Sequence, residues 1–391
     1  MDGGRKKNFW HPPLWKWALV LALLGCSEFL FLWHRPAGPV KVELLPFTDS
    51  PPAWDGSQPW LVISPVSGAG PIIRFKTSIA MVKPTIRHDA PVNEFVVNLR
   101  NGNFKVLQTD LFVADVMPLS LTRSYFAWEP YSRAFGVGTN HPYDICPTGT
   151  RFPYTYQDLN LEDGYQVYMP RVSKGTGYAD AVFRHDQSSS EFYGAMTAWN
   201  GNGWTMTFRD GRKIYFPEAY FARNFAQGAA TEMMDAEGHR ILLKRNMARN
   251  LEQLISPSGH TIDFKYDSSD RIVEAWDDAG HIRSYVYGDD GHVNMVRDGS
   301  HVLYRFEYQR LMRGADNDPW LLTAVLDGDW NVIVRNKFSN GRVIEQALSN
   351  GEVYRYEYRL NGREVLQTTV TLPSGEKKVF VFRDGRLVEQ K

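Results

Sequence analysis

Apolar and polar residues alternate along most of the second half of the chain. Gly259 to Val293 reads GHTIDFKYDSSDRIVEAWDDAGHIRSYVYGDDGHV, in which short alternating runs are separated by polar, glycine-containing segments. The same sequence pattern occurs nearly twice in this stretch. Strict alternation is typical of strands with one buried face, and turns of this composition join hairpins. The pattern therefore predicts an all-β array of consecutive hairpins over residues 201–391.

Pairs of aromatic residues recur in these hairpins with one residue between them. Residues two apart share a face of a strand, so hairpins packed side by side align their rings into ladders. The first three pairs are spaced by 21 residues, and the full set is Phe264 and Tyr266, Tyr285 and Tyr287, Phe306 and Tyr308, Tyr356 and Tyr358, and Phe380 and Phe382. Because a single hairpin is not stable alone, we expect these ten rings to form the core of a curved, open sheet.

Residues 1–35 have the composition of a membrane anchor or signal. Basic residues at 5–7 precede the apolar segment from Trp15 to Trp33, which as a helix would be about 28 Å long, close to the thickness of a bilayer. The order predicts a transmembrane helix with a cytoplasmic N-terminus and an exported bulk. In a bacterium this would be an inner-membrane protein whose bulk lies in the periplasm or at the cell surface. Two alternatives stay open: a lipoprotein lipidated at Cys26, since Leu23 to Cys26 is similar to a lipobox, and a cleaved signal.

Two further regions precede the hairpins. Residues 36–90 are rich in proline and are predicted to form a linker. Residues 91–200 contain alternating strand-like runs, and Asn101-Gly102 has the composition of a hairpin turn. We expect this region to form a separate β module.

Residues 91–200 resemble the N-terminal module of bacterial Rhs proteins, and residues 201–391 resemble their YD repeats. The family's "PL-LTR-Y" strand and "FG-G" turn are present here, at Pro118, Leu119, Leu121, Thr122, Arg123, Ser124, Tyr125, Phe135, Gly136 and Gly138. The sequence departs from the family at Asn101 and Thr139. Tyr266-Asp267 is the clearest YD copy. The resemblance implies part of a curved β shell, preceded here by the N-terminal helix.

The composition excludes several classes of function. Lys plus Arg and Asp plus Glu are 44 each, so the chain lacks the basic surplus of a nucleic-acid-binding protein. No nucleophile elbow, zinc-protease helix or phosphate loop occurs in the sequence. We therefore expect no catalytic residues, no metal ligands and no cofactor.

The glycine-histidine turns are the most evident candidates for a metal site. His239, His260 and His281 recur every 21 residues, but equivalent positions on successive hairpins lie about 9–10 Å apart, too far for two imidazoles to share one zinc ion. The acidic turns, such as Asp327 to Asp329, do not form an EF-hand loop, and an incidental calcium site in them is the alternative that stays open. We interpret both sets as turn residues.

Three functional hypotheses follow. The first is a non-enzymatic, membrane-tethered binding or scaffold module whose repeat face or open β edge binds a surface glycan or a protein, with Trp276, Trp320 and Trp330 as candidate stacking residues. The second is a truncated or split front part of an Rhs toxin-delivery protein, completed by another chain. The third is a hydrolase of cell-wall polymers.

Overall fold

The computed structural model describes residue 44 and residues 60–66, 69–76, 90–187, 191–312, 318–383 and 386–391. These residues form antiparallel β-structure with two short 3-10 helices, Pro142–Asp144 and Phe225–Gly228. The all-β prediction is confirmed. The predicted helix of residues 15–33, the lipidation candidate Cys26 and most of the linker lie outside the described residues.

The first part of the chain forms three small sheets. Six strands lie in the order β2-β1-β3-β4-β5-β8, three in the order β11-β10-β9, and β6 pairs with β7. Their bounds are β1 (Trp60–Val66), β2 (Ala69–Lys76), β3 (Asn93–Asn98), β4 (Phe104–Val113), β5 (Leu119–Phe126), β6 (Ser132–Arg133), β7 (Gly136–Val137), β8 (Thr139–Asn140), β9 (Cys146–Gly149), β10 (Tyr156–Asn160) and β11 (Gln166–Pro170). Residues 93–144 are called the module below.

The remaining strands form one sheet, called the repeat sheet below, in which each strand pairs only with its neighbours in sequence. This 19-stranded meander comprises β12 (Val182–Arg184), β13 (Met196–Trp199), β14 (Gly203–Thr207), β15 (Lys213–Pro217), β16 (Glu232–Met234), β17 (Arg240–Arg245), β18 (Leu251–Ile255), β19 (Thr261–Tyr266), β20 (Ile272–Asp277), β21 (Ile282–Tyr287), β22 (Val293–Asp298), β23 (His301–Arg310), β24 (Trp320–Asp327), β25 (Val332–Ser339), β26 (Arg342–Leu348), β27 (Val353–Asn361), β28 (Glu364–Thr371), β29 (Lys377–Arg383) and β30 (Arg386–Gln390).

The hairpins of the repeat sheet carry a bulge at a fixed place. In five of them the register shifts immediately before the second aromatic position, at Tyr266, Tyr287, Tyr308, Phe338 and Phe382. A bulge bends its strand and increases the local twist. Because the bulge recurs at the same place in successive hairpins, it curves the sheet in one sense.

The two aromatic positions of each hairpin have different roles. Side chains at the first position are buried, as for Phe264 and Phe380. The tyrosines at the second position are partly buried and pack against the core, whereas Phe382 at that position is itself buried. The second position donates a hydroxyl hydrogen bond to the carbonyl oxygen 15 residues earlier: Tyr266 to Leu251 (2.7 Å), Tyr287 to Ile272 (2.6 Å), Tyr308 to Val293 (3.0 Å) and Tyr358 to Val343 (2.7 Å). Each tyrosine thus ties its hairpin to the preceding one, which phenylalanine cannot do.

The predicted inner-membrane localisation is wrong on the structure's evidence. Across the residues that are described, no helix is long and apolar enough to cross a membrane, because the chain there forms strands and only the two 3-10 helices named above. The apolar segment that prompted the prediction lies outside those residues.

Candidate functional site

The module packs against the repeat sheet, and its backbone meets the bulges. The bulge residues Ile272, Leu322 and Val343 stand opposite the second aromatic position of their hairpins. The N–H of Ile272 donates to the carbonyl oxygen of Ala134 at 2.7 Å, and that of Val343 to the carbonyl oxygen of Gly102 at 2.9 Å.

Leu322 completes the set. Its N–H donates to the hydroxyl oxygen of Tyr125 at 2.9 Å, and that hydroxyl in turn donates to the carbonyl oxygen of Trp320 at 2.9 Å. A buried backbone N–H without a partner costs about 1–3 kcal/mol. The module therefore supplies acceptors to the backbone groups that the bulges turn out of the strand ladder.

Arg123 of β5 lies at the centre of this interface. Its guanidinium donates to both carboxylate oxygens of Asp110, through Nε and through Nη2 (3.0 Å), and Nη2 also donates to Gln108 Oε1 at 3.1 Å. The side chains of Arg123 and Asp110 are only 3% and 2% exposed. The repeat sheet contributes Tyr285, whose hydroxyl donates to Asp110 Oδ2 at 2.9 Å.

Aromatic rings surround the Arg123 guanidinium. Its central carbon lies 6.0 Å from the centre of the Phe135 ring, 5.8 Å from that of Tyr285 and 5.4 Å from that of Phe306. Burial alone would lower the pKa of Arg123, but the charge of Asp110 and its hydrogen bond outweigh burial. The pKa is therefore raised above its ordinary value, and the guanidinium stays charged. Burial, reinforced by Asp110, raises the pKa of Tyr285 well above its ordinary value and keeps this hydroxyl a donor.

Further contacts join the module to strands on both sides of this centre. Arg245 of β17 donates to Asp144 Oδ1 at 3.1 Å and to the carbonyl oxygen of Tyr143 at 2.6 Å. Thr368 of β28 donates its hydroxyl to the carbonyl oxygen of Leu99. The module thus contacts the repeat sheet from β17 to β28.

The recurring histidines are explained by the turns in which they lie. Nδ1 of His239 is 2.9 Å from Asp235 Oδ2, and Nδ1 of His281 is 2.8 Å from Asp277 Oδ2. The other oxygen of Asp277 accepts the backbone N–H of His281 at 2.8 Å. His260 contacts a different carboxylate, Asp278 Oδ2, at 2.7 Å.

One group of residues has the spacing of metal ligands. Asp235, Glu237 and His239 bring their ligand atoms within 4.8 Å of one another. Asp235 already accepts the N–H groups of Glu237 and His239 at 3.0 and 2.9 Å and contacts the His239 ring. Its carboxylate is therefore used by the turn itself.

The three tryptophans proposed to stack on a ligand are not brought together. Trp276 is half-buried on β20, and Trp320 is half-buried with its ring 5.7 Å from that of His292. Trp330 lies in the turn after β24, 63% exposed, with the guanidinium of Arg305 4.1 Å from its ring centre. The remaining cysteine of the described residues, Cys146, is buried, which raises the pKa of its thiol to about 12.

A family model matches one part of the chain, which includes most of the module. Residues 96–160 match a family model described as "Domain of unknown function (DUF6531)", and this range contains the residues on which the resemblance to Rhs proteins rests. No curated protein matches the sequence.

Among solved structures, the chain is similar to one titled "Crystal Structure of TcdB2-TccC3-Cdc42", with 9% identity, a TM-score of 0.29, and coverage of 83% of this chain and 22% of that one. A second is titled as the Tc holotoxin pore of Photorhabdus luminescens, with 8% identity, a TM-score of 0.21, and coverage of 77% and 22%. A third is a porin-like protein from Bacteroides uniformis, with 11% identity, a TM-score of 0.19, and coverage of 86% and 93%. The chain thus spans about a fifth of the length of the first two.

The buried ion pair gives the first prediction. Arg123→Met should lower the free energy of unfolding by about 3–5 kcal/mol, because it leaves the Asp110 carboxylate buried without its partner. Arg123→Met combined with Asp110→Leu should recover a large part of this loss. Urea denaturation measures the free energy of unfolding of both variants.

The control is Arg335→Met, which breaks the ion pair of Arg335 with Glu307, whose side chains are 43% and 42% exposed. This substitution should lower the free energy of unfolding by less than about 1 kcal/mol. A similar cost for Arg123→Met would contradict this interpretation.

The aspartate turns give a prediction on pH. Burial alone would raise the pKa of Asp277, but hydrogen bonds from the side chain and backbone of His281 outweigh burial and lower the pKa below 3.8. The pKa of Asp235 is lowered in the same way by His239. A carboxylate with a lowered folded pKa stabilises the fold above the unfolded pKa, and that stabilisation is lost as the pH falls through the folded value.

At neutral pH the double variant Asp235→Asn/Asp277→Asn should therefore have a free energy of unfolding about 1–3 kcal/mol lower than that of the unmodified chain. The difference should shrink as the pH falls below 3.8. Urea titrations from neutral pH to about pH 2 measure it, with the exposed-turn substitution Asp289→Asn as control. A difference that stays constant to the lowest pH would refute the assignment.

Proposed function

We propose that the chain is a non-enzymatic scaffold: the front part of an Rhs-type YD-repeat shell, in which the module closes the inside of the sheet and the hairpins form the wall. The observation that carries the proposal is the bonding of the bulge N–H groups of Ile272, Leu322 and Val343 to the module. The bulges curve the repeat sheet, and the module covers one face of it from β17 to β28. This arrangement is suited to the closed end of a shell.

The polar groups at the interface support a structural role. Arg123, Asp110 and Tyr285 satisfy one another, and Arg245 satisfies Asp144. A catalytic group needs access to a substrate, whereas these side chains are almost fully buried. The match of residues 96–160 to a family model is consistent with a module that recurs in other proteins.

The outer edge of β30 is suited to continuing the wall. Val379 of β29 and Lys391 form a pair that exchanges both backbone hydrogen bonds, at 2.8 and 2.9 Å. Gln390, the next position along the strand, is opposite Phe380 and belongs to a pair without such bonds. In an antiparallel pair, such a position turns its N–H and C=O away from the neighbouring strand. Gln390 thus offers a donor and an acceptor to a further strand, whether this polypeptide or another chain supplies it.

Hydrogen exchange at Gln390 tests this proposal. The Gln390 amide should exchange rapidly in the purified chain and become protected when a hairpin peptide with the sequence of residues 353–371 is added. Gln390→Pro removes the outward donor without removing a bond to β29, so it should abolish binding of the peptide and leave the fold intact.

Three results would count against the proposal. They are a Gln390 amide already protected in the monomer, a peptide that protects Gln390 no better than a scrambled one, and turnover of peptidoglycan by the purified chain.

A further inference from the structure

A row of aromatic side chains, here called the aromatic row, lies at the first strands of the repeat sheet. Successive ring centres are 4.6 Å apart for Phe221 and Tyr220, 5.8 Å for Tyr220 and Phe152, 6.0 Å for Phe152 and Tyr154, 6.3 Å for Tyr154 and Tyr178, and 5.1 Å for Tyr178 and Trp199. The rings come from β13 and from three loops around residues 152, 178 and 220.

Most of the row is open to solvent. Phe221 is 87% exposed, Phe152 72%, and Tyr178 and Tyr220 are 44% and 40% exposed. Tyr154, in the middle of the row, is 6% exposed, so the exposed rings in direct contact with one another are Phe221, Tyr220 and Phe152. Scattered exposed apolar residues are normal on a protein, but a contiguous exposed group marks a binding surface.

Hydrogen bonds hold in place the backbone that carries Tyr154 and Tyr178. Arg171, whose side chain is 7% exposed, donates to the carbonyl oxygens of Tyr154 at 3.1 Å and Gly177 at 2.7 Å, and it pairs with Asp180 at 3.0 Å. The N–H of Tyr154 donates to the carbonyl oxygen of Thr176 at 3.2 Å. Rings on loops fixed in this way lose little conformational entropy when a ligand binds.

Phe152 adds an independent observation. Its φ is +54°, a left-handed conformation that is unfavourable for a bulky side chain. Strain of this kind is concentrated at ligand-binding positions, and here it holds a phenylalanine ring out in water, where the ring adds little to the core.

The charges that border the row cancel. Arg151 lies over the Tyr220 ring, 4.8 Å from its centre, and pairs with Glu218 at 2.9 Å; the two side chains are 30% and 32% exposed. Arg171 is likewise paired with Asp180. These two pairs bring no net charge to the rings that they border, although donors and acceptors lie beside those rings.

From these features we infer that the aromatic row binds a neutral polysaccharide. One face of a sugar ring is rich in C–H groups and stacks on an aromatic ring, while its hydroxyls both donate and accept hydrogen bonds, so they can use Arg151 and Glu218 together. A proline-rich peptide also docks on aromatic rows, but proline has no N–H, so its backbone offers an acceptor to Arg151 and no donor to Glu218. The inference does not depend on the shell proposed above.

The test is calorimetric titration of the full chain with cellohexaose and with fully N-acetylated chitohexaose, each to millimolar concentration, alongside a proline-rich decapeptide and polygalacturonate. At least one neutral hexasaccharide should bind, and neither the peptide nor the anionic polymer should. Phe221→Ala should weaken binding about tenfold, equivalent to about 1.4 kcal/mol.

Two variants separate binding from folding. Phe152→Gly removes a ring at a φ that glycine adopts freely, so it should weaken binding while the unfolding midpoint is kept or raised. Trp330→Ala, which removes an exposed aromatic outside the row, should bind as the unmodified chain does. The inference is overturned if no neutral hexasaccharide binds, if the peptide binds in its place, or if Phe221→Ala and Phe152→Gly bind with unchanged affinity.

Discussion

Three backbone N–H groups link the two parts of this molecule. A bulge that recurs in five hairpins curves the repeat sheet, but it also turns a backbone donor out of the strand ladder. At Ile272, Leu322 and Val343 the acceptor comes from the module. The sheet can therefore keep its curvature without burying unpaired N–H groups only while the module occupies its inner face.

The other contacts of the interface follow from this arrangement. Once the module lies against the rings, Arg123 is buried, so Asp110 is needed to compensate its charge, and the Tyr285 hydroxyl donates to the same carboxylate. The tyrosine hydroxyls tie successive hairpins through the carbonyl oxygens of the same bulge residues, as for Tyr287 with Ile272 and Tyr358 with Val343. One residue thus joins two hairpins and the module, which favours a structural function for the interface.

The sequence allowed much of the fold to be predicted, because alternation and a 21-residue period are local signals. The interface was not predictable, since it joins residues such as Thr368 and Leu99 that are far apart in the chain. Apolar and polar residues alternate at the start of β5, a pattern that predicts one buried face, yet seven of its eight residues are buried. Hydroxyl pairs such as Thr109 with Thr122 at 2.8 Å satisfy its polar side. The Asp-x-x-x-His spacing, as in Asp277 and His281, is the sequence signal that indicates the contact between the carboxylate and the histidine of each turn. The aromatic row was missed because its rings come from separate loops.

Amide exchange at the bulge residues tests the central claim most directly. Under native conditions, measured by NMR, the amides of Ile272, Leu322 and Val343 should exchange only through global unfolding, as slowly as their neighbours in the strand ladder. If the three exchange rapidly while the ladder amides beside them stay protected, the module does not satisfy the bulges, and the account is wrong.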